Sequence, residues 1–339
     1  MADTTWYVNA ASSAGGNGTS PDTSGANRAY NDISDFEAAR QQDLRAGQGG
    51  IEGIATCSVA GGAYTDQVDF DGWTTDATHY INVVCDSSGR NNGYSRENTT
   101  DGDGTNAQIK RDAADNFIVR EEYFRCDGLE IMGNNYHQVN LFVATTTTDI
   151  RFNDCIFLTS GATGTSFIVD AGATNPVSTF TDCLFVGDGW AMEARRWTTM
   201  TMDHCGIYTT GEYGLVASSE STVTNTWAAG TVDNDNFWTG GTPSGNNNAS
   251  KDTSATSRYP TNSINSIVEG TEFTSASTTA SSFDFTISSG NDLDGGGTNP
   301  SGLLDITDTA FSNPSAIGPW ELIAAGGTNP RHLTLLGVG

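Results

Sequence analysis

The chain of 339 residues has almost no lysine: Lys110 and Lys251 are the only two. With 15 Lys and Arg against 41 Asp and Glu, the formal charge is −26. Phosphate backbones and anionic membrane surfaces are repelled by such a chain, so no nucleic-acid or membrane partner is expected. No apolar run approaches the roughly 18 to 20 residues of a membrane span. The opening MADTTWYVNAASSAGG lacks a basic region and an apolar h-region. Cytoplasmic synthesis without a secretory signal peptide is therefore expected. Helix formers are scarce and hydrophobic residues make up only 36%. None of the six cysteines stands in a C-x-x-C pair, which argues against a zinc ribbon or a redox motif. There is no G-x-x-x-x-G-K-[ST] loop, no G-x-S-x-G elbow and no H-E-x-x-H among the four histidines.

What is plentiful is Gly, with 40 residues, together with Thr, Ser, Asn and Asp. This composition favours strands joined by tight turns. A phrase also recurs. FNDCIFLTSG begins at Phe152, FTDCLFVGDG at Phe180 and MDHCGIYTTG at Met202, with FRCDGLEIMG upstream at Phe124. The four cysteines, Cys126, Cys155, Cys183 and Cys205, give a recurrence of 20 to 30 residues of variable length, the signature of a solenoid. Cys155 and Phe157 are two apart and share a strand face. The gap of three from Phe152 to Cys155 marks a corner. Short strands with a corner, stacked at this period, predict an all-β, right-handed parallel β-helix, because each coil alone buries too little. A leucine-rich repeat would carry a helix per coil, and a sandwich would lack the long period. The cysteines are expected to be free thiols, with Cys155, Cys183 and Cys205 facing inward as small apolar residues.

The flanks divide the chain into three parts. Residues 1–50 hold a strand at Trp6–Ala10, a loop and an amphipathic helix over Asn31–Leu44, with Ser34 and Glu37 as a capping box. An open solenoid end needs such a cap. Residues 51–321 form the β-helix, with a polar insertion near 231–261 and Ser266 standing where Cys stood. Residues 322–339 form a tail or oligomer contact.

The YVNA opening, the helix cap, VAGGAYTDQV, the repeated F-x-D-C-x-F, NSIVEG and the terminal AIGPWE resemble the right-handed parallel β-helix, or pectin-lyase-like, superfamily. The resemblance covers Trp6 to Glu321. In character it is closest to virion β-helix proteins of tailed phages. It implies a homotrimeric structural component of a virus particle (capsid decoration, head fibre or tail spike), placed on the virion surface beside other virion proteins and touching host polysaccharide. The same superfamily includes polysaccharide lyases and glycoside hydrolases, so an enzyme is the alternative, and a non-viral adhesin or surface-layer component a second.

Three groups of residues are candidates for chemistry. Asp154, Asp182 and Asp203 are read as one outward column on neighbouring coils. Such a column would serve as a Ca2+ site or an acid/base pair, or else as turn carboxylates bonding local N–H groups. The stretch GWAMEARRW offers Trp190, Glu193, Arg195, Arg196 and Trp197, with Tyr213 one coil later, as a glycan contact. Glu193 and Arg195 within it, and His204 one coil later, are the catalytic candidates. The bland reading of this stretch is a surface ion pair with Trp packed on the wall. The Asp-rich turns at Asp69, Asp101, Asp233 and Asp292 lack the full twelve-residue calcium loop. Arg120, Glu121, Glu122 and Arg125 read as a solvated charge run.

Overall fold

In the computed structural model, the described residues are 3–45, 53–91, 106–111, 115–133, 137–143, 148–159, 165–169, 176–194, 199–211, 213–217, 221–230, 236–239, 243–276, 284–287, 290–298, 305–306, 311 and 315–320. They form a right-handed parallel β-helix. Three parallel sheets of eight, seven and nine strands run along it, and each coil gives one strand to each sheet in the middle of the molecule. One coil shows the pattern: Asp149–Asn153 lies in the first sheet, Ile156–Thr159 in the third and Thr165–Val169 in the second.

Register is set by what points inward. Trp6, Cys57, Val83, Cys126, Phe152, Phe180, Met202 and Val223 occupy one inward column of the first sheet. A one-residue slip would turn that whole column out to solvent. The column is continued inside by aromatic rings. Phe152 and Phe180 stack with centroids 5.7 Å apart, Phe157 and Phe185 at 4.9 Å. Phe167, from the second sheet, meets Phe152 and Phe180 edge-on. All six cysteines are free and buried, as the phrase spacing predicts.

The N-terminal end is closed by the helix Ile33–Arg40, shorter than the expected Asn31–Leu44. Its cap is Asp32, whose carboxylate accepts from the Ser34 N–H. Phe36 on its buried face lies between Trp6 and Trp73, with ring centroids 5.8 Å from each. The strand expected at Trp6–Ala10 spans Thr4–Val8.

The stretch expected as a polar insertion near 231–261 instead completes the solenoid. Phe237–Thr239 closes the second sheet and Ala249–Ser250 joins the third. The short helix Ser254–Arg258 then covers the end, placing Ala255 and Tyr259 in the core. Its polar look comes from turns and cap residues, which need hydrogen-bonding side chains.

Beyond the last strand of the third sheet, Ile264–Asn265, the chain stops coiling. The expectation of coils to residue 321 is corrected here. Phe273–Ser275 and Asp284–Ile287 pair antiparallel, and segments out to Trp320 pack on the outer face of the third sheet. That face carries Met132, Ile156, Leu158, Leu184, Val186, Tyr208 and Trp227, all buried. Trp227 is the hub, with ring centroids 4.6 Å from Phe273 and 5.2 Å from Phe285. This explains why strands such as Ile156–Thr159 and Leu184–Gly187 are apolar at consecutive positions: both of their faces are covered. The proposed tail, 322–339, lies outside the described residues.

Candidate functional site

The expected aspartate column is corrected by the register. Asn153, Thr181 and Asp203 are aligned, so the residues aligned with Asp154 and Asp182 include His204, not Asp203. Counting back from Cys205 gives the same result, since Asp203 lies one residue too early. The true column is Gly128, Asp154, Asp182, His204, Asn225, Asn247 and Asn262. All seven have positive φ, between 50° and 80°. Each of the first six donates its N–H to the carbonyl just before the corner of the next coil. Asn, Asp, His and Gly are the residue types that tolerate this left-handed backbone. Gly128 meets a second demand, because a Cβ there would lie 2.9 Å from Arg90 Cγ.

Nor is this column an open carboxylate row: Asp154 and Asp182 are 3% and 1% exposed. Each of its side chains does something different. Asp154 pairs with the Arg90 guanidinium, which also meets Asp127 at 2.7 Å. Asp182 is buried with its Oδ1 unpartnered, and burial pushes its carboxyl well above the usual range. Asp203, beside the column, is also raised by burial, but His204, Asn225 and Thr224 more than offset this and hold it below the usual range. The remaining side chains grip the covering segment. His204 Nε2 is 3.1 Å from Ser315 Oγ, Asn225 Oδ1 accepts from the Thr298 N–H at 2.9 Å, and Asn247 Nδ2 donates to the Gly296 carbonyl at 2.8 Å. Among the described residues, no three His, Cys, Asp or Glu side chains gather as metal ligands.

His204 also lies 3.0 Å from Asp203 Oδ1 through Nδ1. Asp203, His204 and Ser315 thus follow one another as in a nucleophilic triad. His204 and Ser315 are both 0% exposed, and the Phe311 ring closes on the imidazole at 4.3 Å. A substrate has no approach to this serine, and the contact ties the cover down.

The tryptophan-rich candidate is split by the structure. Trp190 and Tyr213 do come together, with rings edge-on and centroids 5.8 Å apart. Glu193 is buried at 2% exposure on the strand Trp190–Ala194. Arg195, Arg196 and Trp197 lie outside the described residues. Of the Asp-rich turns, Asp69 pairs with Arg120 at 2.8 Å, and Asn291 and Asp294 bond backbone N–H groups within the Asp292 turn. Asp101–Gly104 and residues 233–235 lie outside the described residues.

An open groove lies on the outer face of the first sheet, where Arg125, read as part of a solvated charge run, stands beside Arg151. A groove of about 430 Å³ is lined by Tyr80, Asn82, Arg125, Asp127, Arg151 and Thr179, among others. Strand alternation puts Asn82, Arg125, Arg151 and Thr179 in one outward row on successive coils. Asp149 holds both guanidiniums. Arg151 forks onto it with two bonds of 2.8 Å, and Arg125 Nη2 reaches it at 2.6 Å. Arg125 lies under the Tyr80 ring at 4.7 Å and is 15% exposed, whereas the Arg151 side chain is 56% exposed. The bond to Asp149 raises the pKa of Arg151, and burial lowers that of Arg125. The Arg151 N–H groups that Asp149 leaves free lie exposed beside an aromatic ring and an amide, where they can donate to an anionic group. The signal in the sequence was the offset: Arg125 and Arg151 each stand two residues before the corner-flanking Asp127 and Asn153.

No protein family and no curated protein matches the chain. Among solved structures, it is similar to the crystal structure of pectate lyase Pel9A, at 12% identity and a TM-score of 0.44, over 95% of this chain and 97% of that one. That likeness concerns the path of the backbone. The parallel sheets, the stacked corners and the inward columns make the chain a right-handed parallel β-helix.

Proposed function

We propose that the chain is a structural surface component of a virus particle, working as a homo-oligomer whose first sheet holds an acidic host glycan. The observation that supports the binding role is the outward row Asn82, Arg125, Arg151 and Thr179 beside Tyr80. In a chain of formal charge −26, two adjacent guanidiniums share one carboxylate there. Asp127 also lines the groove and pairs with Arg90, so the groove carries no net charge, and the N–H groups of Arg151 that Asp149 leaves free are what would meet a uronate or other sugar acid. The place on a virus particle is inferred from the character of the sequence. Calorimetric titration with a polyuronate and a neutral glucan tests the binding. Binding of the polyuronate alone, weakened in Arg151→Ala, supports it, and equal binding of both polymers overturns it. Mass spectrometry of purified virions tests the location, and absence from the particle defeats it.

A polysaccharide lyase on the same scaffold is the second reading. It is favoured by the place of Arg125, whose largely buried guanidinium lines the groove beside the exposed Arg151. An absorbance assay for unsaturated uronate products separates the two. Product formation abolished by Arg125→Lys supports the enzyme, and binding without product supports the structural role.

A further inference from the structure

The four cysteines of the repeated phrase do not form one simple column. Cys126 is in register with Phe152, Phe180 and Met202, whereas Cys155, Cys183 and Cys205 stand three residues later, just past the corner. Leu129 occupies that later slot in the coil of Cys126, since Ile156 N–H donates to the Leu129 carbonyl as Leu184 N–H does to that of Cys155. The three later sulfurs repeat one conformation. Each rests on the carbonyl two residues before it (Asn153, Thr181 and Asp203, at 3.2, 3.3 and 3.4 Å) and leans toward the preceding coil (Cys126, Phe152 and Phe180 carbonyls, at 3.7, 3.5 and 3.6 Å). Because a cysteine, not a phenylalanine, fills the inward slot of that first coil, Cys155 Sγ finds Cys126 Sγ 3.8 Å away. Cys155, Cys183 and Cys205 fill the same slot on successive coils, since the Leu184 N–H donates to the Cys155 carbonyl and the Gly206 N–H to the Cys183 carbonyl.

We propose that this row is an oxidation site in which peroxide couples neighbouring thiols into disulfides that staple successive coils, Cys126 to Cys155 first and Cys183 to Cys205 second. Cys183 and Cys205 fill one slot on adjacent coils, where strand neighbours are about 4.8 Å apart, inside the Cα separation of roughly 4.4 to 6.8 Å that a disulfide spans. The sulfurs at 3.8 Å need to close by less than 2 Å to reach the bonded distance of about 2.05 Å. In each step one thiol reacts with hydrogen peroxide to give a sulfenic acid and water. The neighbouring thiol then attacks that sulfur and releases a second water. Two thiols are oxidised and one peroxide is reduced to two waters. Reaction waits on local opening, because all four sulfurs are buried. The row is therefore silent in a reducing cytoplasm and reports arrival in an oxidising medium.

The test exposes the folded full-length chain to hydrogen peroxide, quenches it, unfolds it in a thiol-alkylating reagent and maps the peptides. The expected result is two and then four thiols protected from alkylation, in a Cys126–Cys155 peptide followed by a Cys183–Cys205 peptide, each about 2 Da lighter than its two reduced, unalkylated parts together. Cys57 and Cys85 should remain alkylated. Cys126→Ser should remove the first link and keep the second. Six alkylated thiols, sulfinic acids without links, links through Cys57 or Cys85, or the same links formed equally in urea would each overturn the proposal.

Discussion

His204 and Ser315, 111 residues apart in sequence, meet at 3.1 Å between Nε2 and Oγ. The contact joins the corner of a coil to the segment that covers the third sheet. Ser315→Ala should therefore free the cover without unwinding the solenoid. The loss of one buried hydrogen bond is expected to cost about 1–3 kcal/mol. Limited proteolysis and hydrogen exchange should show faster opening across 284–320, with exchange in Tyr123–Asp127 unchanged. Unchanged exchange in both regions would sink the account.

Two buried acids give the fold a dependence on alkali. Burial raises Asp182 well above the usual range and carries Glu121 to about 8. A folded pKa raised above its unfolded value contributes stability that is fully present below the unfolded value, near pH 4, and lost as the pH climbs through the folded value. For Glu121 that window runs from about 4.5 to about 8. Thermal midpoints should fall between pH 5 and pH 9, and Asp182→Asn and Glu121→Gln should each flatten the slope. The asparagine keeps the left-handed backbone that position 182 requires. A slope that survives both substitutions would contradict this assignment.

Arg151 and Arg125 differ in what they support. Arg151→Ala removes an exposed pair and should change stability by only about 0–1 kcal/mol. Its effect on polyuronate affinity should be larger, on the order of a tenfold loss, as for one charge-assisted contact. Arg125→Ala strips a half-buried guanidinium from Tyr80 and Asp149 and should lower both stability and affinity. Denaturant midpoints and titration calorimetry on the same samples would check this. Equal stability losses from the two would be the wrong outcome.

Gly128 is the one glycine in its column, with φ of 80°. Gly128→Ala should cost roughly 1–3 kcal/mol, as left-handed strain for a residue without a polar side chain. It should also displace Arg90, since a Cβ would lie 2.9 Å from Arg90 Cγ. A thermal melt, with Asp182→Asn as the control for a tolerated change, decides it.

Much of the fold was legible because a parallel coil repeats its demands. Phe152, Phe180 and Met202 sit where the phrase placed them, and so do Cys155, Cys183 and Cys205. What misled was a shift of one residue. Asp203 looked like a partner of Asp154 and Asp182, but side chains alternate with a period of two, so the shift moves it from the corner slot to the strand beside it. Cys126 was likewise taken for a fourth member of the cysteine slot that Leu129 fills. Ser266 was taken for a substitute in the same slot, but Ser263 follows Asn262 there, and its hydroxyl accepts from the Asn248 N–H. The covering segment was harder to see. Its strands alternate like coils, and only the consecutive apolar residues of Ile156–Thr159 and Leu184–Gly187 hinted that the outer face was spoken for. The groove depends on the lateral stacking of Arg125 on Arg151, a neighbourhood that exists only after coiling.

The left-handed column has a consequence for how the molecule reaches this state. Its outward side chains offer fastening points to the covering segment at His204, Asn225 and Asn247, one per coil. Those points fall into line only when three successive coils have stacked in the correct register. A coil misplaced by one residue would turn a fastening point into a strand position and leave the segment nothing to grip. The segment thus acts as a gauge: it closes on a correctly counted solenoid and stays open on a miscounted one, so a part of the chain synthesised after the coils checks their spacing.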